Sequence, residues 1–276
     1  MIYVAAWRND KSGLGHYTRA KKYFELLKKS KKKVKNIIFE DLADLSNKIQ
    51  YKKGNIILID TYIFSKKIEN LLRKNFKKII VINDYQFMLP NDFYMLDPFK
   101  FSKKINHKNK FLGPEYSATM HNKNFLINTS KKNFFLILLN TKYQKFFFKI
   151  YKLINGSLNK KIVVNVSCTK IKKFLKSKKD YTLKPFVSEK EILTYAMKAE
   201  YIISSGGQTM MNLVENNQFP NIYKTSNNQN FYIKKLHENK FINNIDFKKF
   251  CLKKNKKTEY KKINKKNKLL KIFNTK

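Results

Sequence analysis

The chain has 276 residues, enough for about two domains of ordinary size, and its 42% apolar and 14% aromatic residues exclude a disordered polycation despite a formal charge of +41. Arginine occurs only at Arg8, Arg19 and Arg73, so the charge is almost all lysine, a hydrated point charge and not the planar fork that reads bases or clamps phosphate. The excess therefore reads as solvated surface: no specific nucleic-acid partner is expected, while electrostatic contact with an anionic membrane is left open.

Short β-rich runs at 2–6, 36–39, 55–60, 78–84 and 93–96 alternate with amphipathic stretches at 16–29, 41–50 and 64–76. The pattern restarts with strands expected at 133–139, 161–167, 182–186, 201–205 and 221–225, and helices at 143–154, 169–178, 189–198 and 208–217. Ser188 with Glu191 three residues on is a capping box for the helix at 189. Continuous apolar strands alternating with helices predict an α/β protein with two doubly wound parallel sheets in tandem, joined near 122–132. The expected domains are 1–128 and 133–250, with a lysine-rich helix or tail over 251–276.

Cys168 and Cys251 have no paired spacing, which supports neither a disulfide framework nor a thiolate metal site and points to a reducing compartment. No apolar run approaches the ~18–20 residues that span a bilayer, and MIYVAAW is too short for the apolar region of a signal peptide. A cytoplasmic monomer is expected.

Two strand-end turns carry the chemistry. In SGLGHYTR (12–19), Gly13 and Gly15 lead into a helix that His16 opens instead of being buried in it. The helix dipole there favours the neutral imidazole, able to act as a general base. The bland reading is a histidine that merely caps the helix. In IISSGGQT (202–209), Gly206-Gly207 ahead of Gln208 and Thr209 makes an anion cradle, or a tight turn needed for packing. The pattern at 12–19 is not a dinucleotide fingerprint, since the third glycine is absent. One turn in each half suggests a ligand whose phosphate-bearing part is held by one domain and whose reacting part faces the other, across an interdomain cleft. His107 and His237 read as surface residues, and His121 as a loop residue able to face the cleft. No His/Asp/Glu grouping has metal spacing, so no metal and no cofactor are expected.

In this order the motifs resemble the PseG/SpsG family, UDP-sugar hydrolases of pseudaminic acid and spore-coat polysaccharide pathways, and more distantly the transferase that adds N-acetylglucosamine in peptidoglycan synthesis. The likeness covers about residues 1–240. Arg8-Asn9-Asp10 resembles the family's Arg-x-Asp, GLGHYTR (13–19) its G-x-G-H-x-x-R, and IDTY (59–62) its Asp-x-Tyr strand end. Asn83-Asp84 matches an acidic pair, FLGPEYSA (111–118) the G-P-x-Y-A segment, SSGGQT (204–209) the S-x-G-G-S-T turn, and SNNQ (226–229) the Asn-Gln at the last strand.

The resemblance implies a GT-B fold of two Rossmann-like domains around a cleft, and hydrolysis of a UDP-linked amino/deoxy sugar at its anomeric carbon with inversion. By it, His16 is catalytic and Tyr62 and Asn228 face the reacting sugar. Substrate and UDP contacts fall to Arg8, Gly13, Gly15, Arg19, Asp60, Asp84, Gly113, Tyr116, Ser205, Gly206, Gly207, Gln208, Thr209, Asn212 and Gln229. The chain departs from the family at LLNTK (138–142), where Leu139 and Asn140 replace glycines and Lys142 an acid. It departs again at Asn212, in place of a ribose-binding glutamate, and near Met120, in place of an arginine. A GT-B glycosyltransferase with an acceptor hydroxyl instead of water, and a noncatalytic polyanion-binding protein on the same fold, remain as alternatives.

Overall fold

The computed structural model describes residues 1–8, 15–49, 54–61, 63–83, 87–118, 132–138, 144–154, 161–165, 169–176, 181–183, 188–225, 227–246, 249–256 and 268–274. The chain divides into two units, Met1–Met120 with Ile263–Lys276, and His121–Lys262.

In the first unit β1 (Ile2–Trp7), α1 (Gly15–Lys29), β2 (Val34–Phe39), α2 (Leu42–Ile49), β3 (Gly54–Asp60), α3 (Lys66–Asn75), β4 (Phe76–Ile82), β5 (Tyr94–Asp97) and β6 (Lys110–Leu112) follow one another. The six strands pair in parallel in the order β2-β1-β3-β4-β5-β6. Both faces are covered, which is why the strands read as unbroken apolar runs. Ile2, Val4 and Ala6 of β1 with Ile80 and Ile82 of β4 point to one face, against Ala20, Tyr23 and Leu27 of α1. Tyr3 and Ala5 with Ile79 and Val81 point to the other, against Leu45 and Ile49 of α2 and Ile68 and Leu72 of α3.

The chain returns to this unit at its end. Leu269 and Ile272 of the short α9 (Leu269–Ile272) are fully buried beside α1, and Lys78 Nζ donates to the Ile272 carbonyl at 2.5 Å while lying 4.2 Å from the Tyr94 ring centroid. Burial pushes the Lys78 pKa down. A four-residue helix has no stability of its own. Two buried apolar side chains, each worth about 1.5–3 kcal/mol, hold it.

The second unit contains β7 (Lys132–Leu138), α4 (Gln144–Ile154), β8 (Lys161–Asn165), α5 (Thr169–Lys176), β9 (Tyr181–Leu183), α6 (Glu189–Lys198), β10 (Ala199–Ser205), α7 (Gln208–Glu215), β11 (Asn221–Tyr223), α8 (Asn230–Glu238) and β12 (Asn243–Asn244). Its sheet is also parallel, ordered β12-β11-β10-β7-β8-β9. α4 and α5 lie on one face, α6 and α7 on the other. The expected capping box is present, Ser188 Oγ accepting from Glu191 N and Glu191 Oε2 from Ser188 N, both at 3.3 Å.

The alternation predicted from sequence matches the sheets closely. Three elements are not foreseen, β6, α8 and β12, each short or polar in sequence, while α9 falls within 251–276, where a lysine-rich helix or tail is expected. Residues 251–256 carry no helix. They form an extended strap pinned by buried asparagines: Asn221 Nδ2 donates to the Lys253 carbonyl (2.8 Å) and Asn243 Nδ2 to that of Cys251 (2.9 Å). Asn255 accepts from Phe219 N (2.9 Å) and donates to the Ala196 carbonyl (2.8 Å).

Replacing Asn255 by Ala leaves several of these buried groups unpaired, each costing about 1–3 kcal/mol. The urea midpoint of Asn255→Ala is expected to fall clearly below that of the wild type, with an unchanged m-value.

Candidate functional site

The first unit reverses its strand order between β1 and β3, the place where open parallel sheets bind ligands at their carboxyl ends. Asp60 ends β3 there and is fully buried. His16 and Arg19, one turn apart on α1, converge on it from 44 and 41 residues away. Arg19 forks onto the carboxylate, Nε to Oδ2 and Nη2 to Oδ1, both at 2.6 Å. His16 Nδ1 donates to the same Oδ1, and the guanidinium lies 3.4 Å from that nitrogen.

Burial alone would raise the Asp60 pKa. The adjacent Arg19 guanidinium and His16 ring outweigh it and hold the carboxyl at about 2, below the ordinary 3.8. Asp60 is therefore a carboxylate, which only accepts hydrogen bonds, so Nδ1 of His16 carries a proton, and whenever the ring is neutral its lone pair sits on Nε2. That is the tautomer a general base requires.

One expectation is corrected here. His16 opens the helix, but it is only 3% exposed and is not an open cap. The side chain is drawn in because the buried carboxylate needs both of its donors. The sequence reading placed Asp60 and Arg19 among substrate contacts; the structure gives them a shared task, fixing the ring of His16.

Around this triad, Arg8 lies at the carboxyl end of β1 with its guanidinium 5.4 Å from the Tyr17 ring centroid. Among the described residues, no atom lies within 4 Å of a Cβ built at Gly15. Gly113 is required by its backbone, φ +124°, and a Cβ there would sit 2.6 Å from Glu115 Oε2. It leads into the Pro114–Tyr116 turn, where the Tyr116 carbonyl accepts from Tyr23 on α1 at 3.3 Å. Burial and then the Glu115 charge raise the Tyr116 pKa. Asn83 staples the loop after β4 by bonding both N and O of Phe87 (2.7 and 2.8 Å).

In the second unit the strand order reverses between β7 and β10, and Gly206-Gly207 follows β10 directly into α7. The turn closes with Gly207 N donating to the Ser205 carbonyl at 3.1 Å. A Cβ at Gly206 would lie 2.5 Å from Ile233 Cδ1 of α8, so packing demands that glycine; at Gly207 the nearest atom would be Gln229 Nε2 at 3.9 Å. Gln229 Oε1 accepts from both N and Oγ1 of Thr225 (2.9 and 3.0 Å), tying the loop after β11 to the turn. Thr209 sits in the first turn of α7. Gln208 Nε2 donates to Asn212 Oδ1 at 2.9 Å, so these two expected ligand contacts engage each other.

Asn228 lies in the turn Asn227–Gln229. Gly13, Tyr62, Asp84, Met120, His121, Leu139, Asn140 and Lys142 fall outside the described residues. His237 is exposed. His107, read as a surface residue, is buried: Nε2 donates to the Pro90 carbonyl at 2.9 Å and Nδ1 accepts from Asn109 N at 3.2 Å. Flanking lysines hid a histidine that bridges two loops. Among the described residues, no group of three His, Cys, Asp or Glu is placed to hold a metal, and no helix is long and apolar enough to cross a membrane.

No family model and no curated protein sequence matches the chain. Solved structures do. A UDP-GlcNAc 2-epimerase from Methanocaldococcus jannaschii, in complex with UDP-GlcNAc and UDP, is similar at 12% identity and TM-score 0.50, covering 91% of this chain and 94% of that one. The glycotransferase of kitacinnamycin is similar at 8% identity and TM-score 0.57, covering 90% and 86%, and MurG of Acinetobacter baumannii at 10% and 0.50, covering 91% and 86%. The fold is GT-B. Gly15 and the Gly206-Gly207 turn each lie where a sheet of this chain reverses its strand order.

A carboxyl held at about 2 stabilises the fold above its unfolded value near 4, by on the order of 2 kcal/mol, and that share disappears as pH falls through about 2. Acid titration of stability is expected to show this step in the wild type and to lack it in Asp60→Asn, which is also destabilised at neutral pH by about 3–5 kcal/mol through the unpaired Arg19. At the other turn, Gly206→Ala is expected to cost about 1–3 kcal/mol by overpacking. Adding Ile233→Val, which removes Cδ1 but keeps the Cγ1 carbon at 2.9 Å, restores only part of the thermal midpoint, whereas Gly207→Ala alone leaves it nearly unchanged.

Proposed function

We propose that the protein hydrolyses a UDP-linked amino/deoxy sugar at its anomeric carbon, releasing UDP with inversion, as the resemblance to the PseG/SpsG hydrolases implies. The observation that carries the reading is the Asp60-oriented His16 at the carboxyl ends of β1 and β3. With Nδ1 donating to Asp60, Nε2 accepts a proton from water as the water oxygen bonds to the anomeric carbon. The bond from that carbon to the β-phosphate oxygen breaks, and its electron pair leaves with UDP. The Gly206–Thr209 turn receives the diphosphate, whose growing charge is met by backbone N–H groups at the start of α7. By the same resemblance, Tyr62 and Asn228 match residues that face the reacting sugar. The UDP-GlcNAc and UDP bound by the similar epimerase, and the glycotransferase among the neighbours, support a nucleotide-sugar substrate.

Purified protein given candidate UDP-sugars is expected to release UDP and a free reducing sugar. A positioned base supplies roughly 10²–10⁴ in rate, so His16→Ala should lower turnover by that factor while UDP binding, read by calorimetry, persists. Turnover that survives the substitution removes His16 from the mechanism. Sugar recovered on an added acceptor, with little hydrolysis in its absence, assigns the chain to transfer instead.

A further inference from the structure

α4 and α5 cover one face of the second sheet together: Phe147, Ile150 and Ile154 of the first and Ile171 and Leu175 of the second enter the same core. They meet along a seam of rings, with Phe174 edge-on to Phe148 at 5.3 Å and to Tyr151 at 5.0 Å. These three rings are half-buried. Outside the seam, Lys145, Lys149 and Lys152 on α4 and Lys170, Lys173 and Lys176 on α5 are exposed, at spacings of three and four that set each group along the outer side of its helix.

Neither helix contains an acid, and neither contains an arginine. Every other described helix of eight or more residues has an acid: Glu25 in α1, Asp44 in α2, Glu69 in α3, Glu189 in α6, Glu215 in α7 and Glu238 in α8. A chain-wide lysine excess accounts for lysines anywhere. It does not account for two adjacent helices that carry no acid of their own, an arrangement whose self-repulsion an anionic partner relieves.

We propose that this face docks on the surface of an anionic lipid bilayer, independently of the reaction assigned above. Lysine stems lie over apolar surface while their ammonium groups reach headgroups, and half-exposed rings between them suit the interfacial level. Two observations favour lipid over RNA. The rings pack edge-on against one another instead of lying open as platforms for bases, and neither helix carries an arginine to read base edges. The face is also opposite the one that carries α7, so docking leaves the start of that helix uncovered within its unit.

The test is cosedimentation of the full-length protein with phosphatidylcholine vesicles made with and without phosphatidylglycerol. Binding is expected only with the anionic lipid and should be lost between about 0.1 and 0.5 M salt. Removing Lys145, Lys152, Lys170 and Lys173 together as glutamines should weaken partitioning several-hundredfold, at about fivefold per lysine. The same charge removed from exposed Lys67, Lys74, Lys77 and Lys103 of the first unit should weaken it less than about tenfold, with both variants retaining the wild-type circular dichroism. Equal losses in the two variants would mean that net charge alone acts, and would overturn the assignment of this face. So would absence of binding to phosphatidylglycerol, or binding of polyuridylate through the four lysines without any binding to vesicles.

Discussion

A carboxylate at the end of a parallel strand is a poor thing to bury unless cations reach it, and Asp60 is fully buried. Its ionised state rests on one bidentate arginine and one imidazole, both delivered by the first turn of α1. The pair anchors that turn to β3, across the point where the strand order reverses. It also decides which nitrogen of His16 holds a proton. Stability and chemistry at this site are thus one electrostatic arrangement, and neither changes without the other.

The scarcity of arginine sharpens the point. Arg19 makes the fork on Asp60. Arg73 makes another, bonding both oxygens of Asp92 and reaching Glu69 at 3.0 Å while stacked on Phe93. Arg8 lies over Tyr17. In a chain that meets almost every need for positive charge with lysine, its three arginines stand where a planar, multidentate or stacking group is required. The lysines are largely outside; Lys78, buried under α9, is held by a carbonyl and an aromatic ring. Interior polar work in the second unit falls to asparagine, whose amide both donates and accepts, and Asn221, Asn243 and Asn255 pin an extended strap without adding a strand.

The two glycine turns look alike in sequence and differ in cause. Among the described residues no atom crowds Gly15, whereas Gly206 is forced by the approach of Ile233 from a helix that sequence reading does not foresee. Nothing local distinguishes them, because the atom that forbids a side chain at position 206 belongs to a residue 27 positions on.

Strand and helix alternation, the parallel sheets and the capping box at Ser188 were legible in the chain because each depends on neighbours within a few residues: apolar runs, 3.6-residue periodicity, a serine three residues before a glutamate. His16 was legible as a candidate for the same reason, standing between glycines and a helix. Its burial, its tautomer and the carboxylate that sets both were not, since Asp60 lies 44 residues away and is brought there only when β3 pairs beside β1. The burial of His107, the return of the C-terminal residues to the first unit and the asparagine-pinned strap escaped sequence for a kindred reason. Lysine-rich and polar stretches carry no local sign of where they will dock, and only long-range packing makes their few apolar and amide groups decisive.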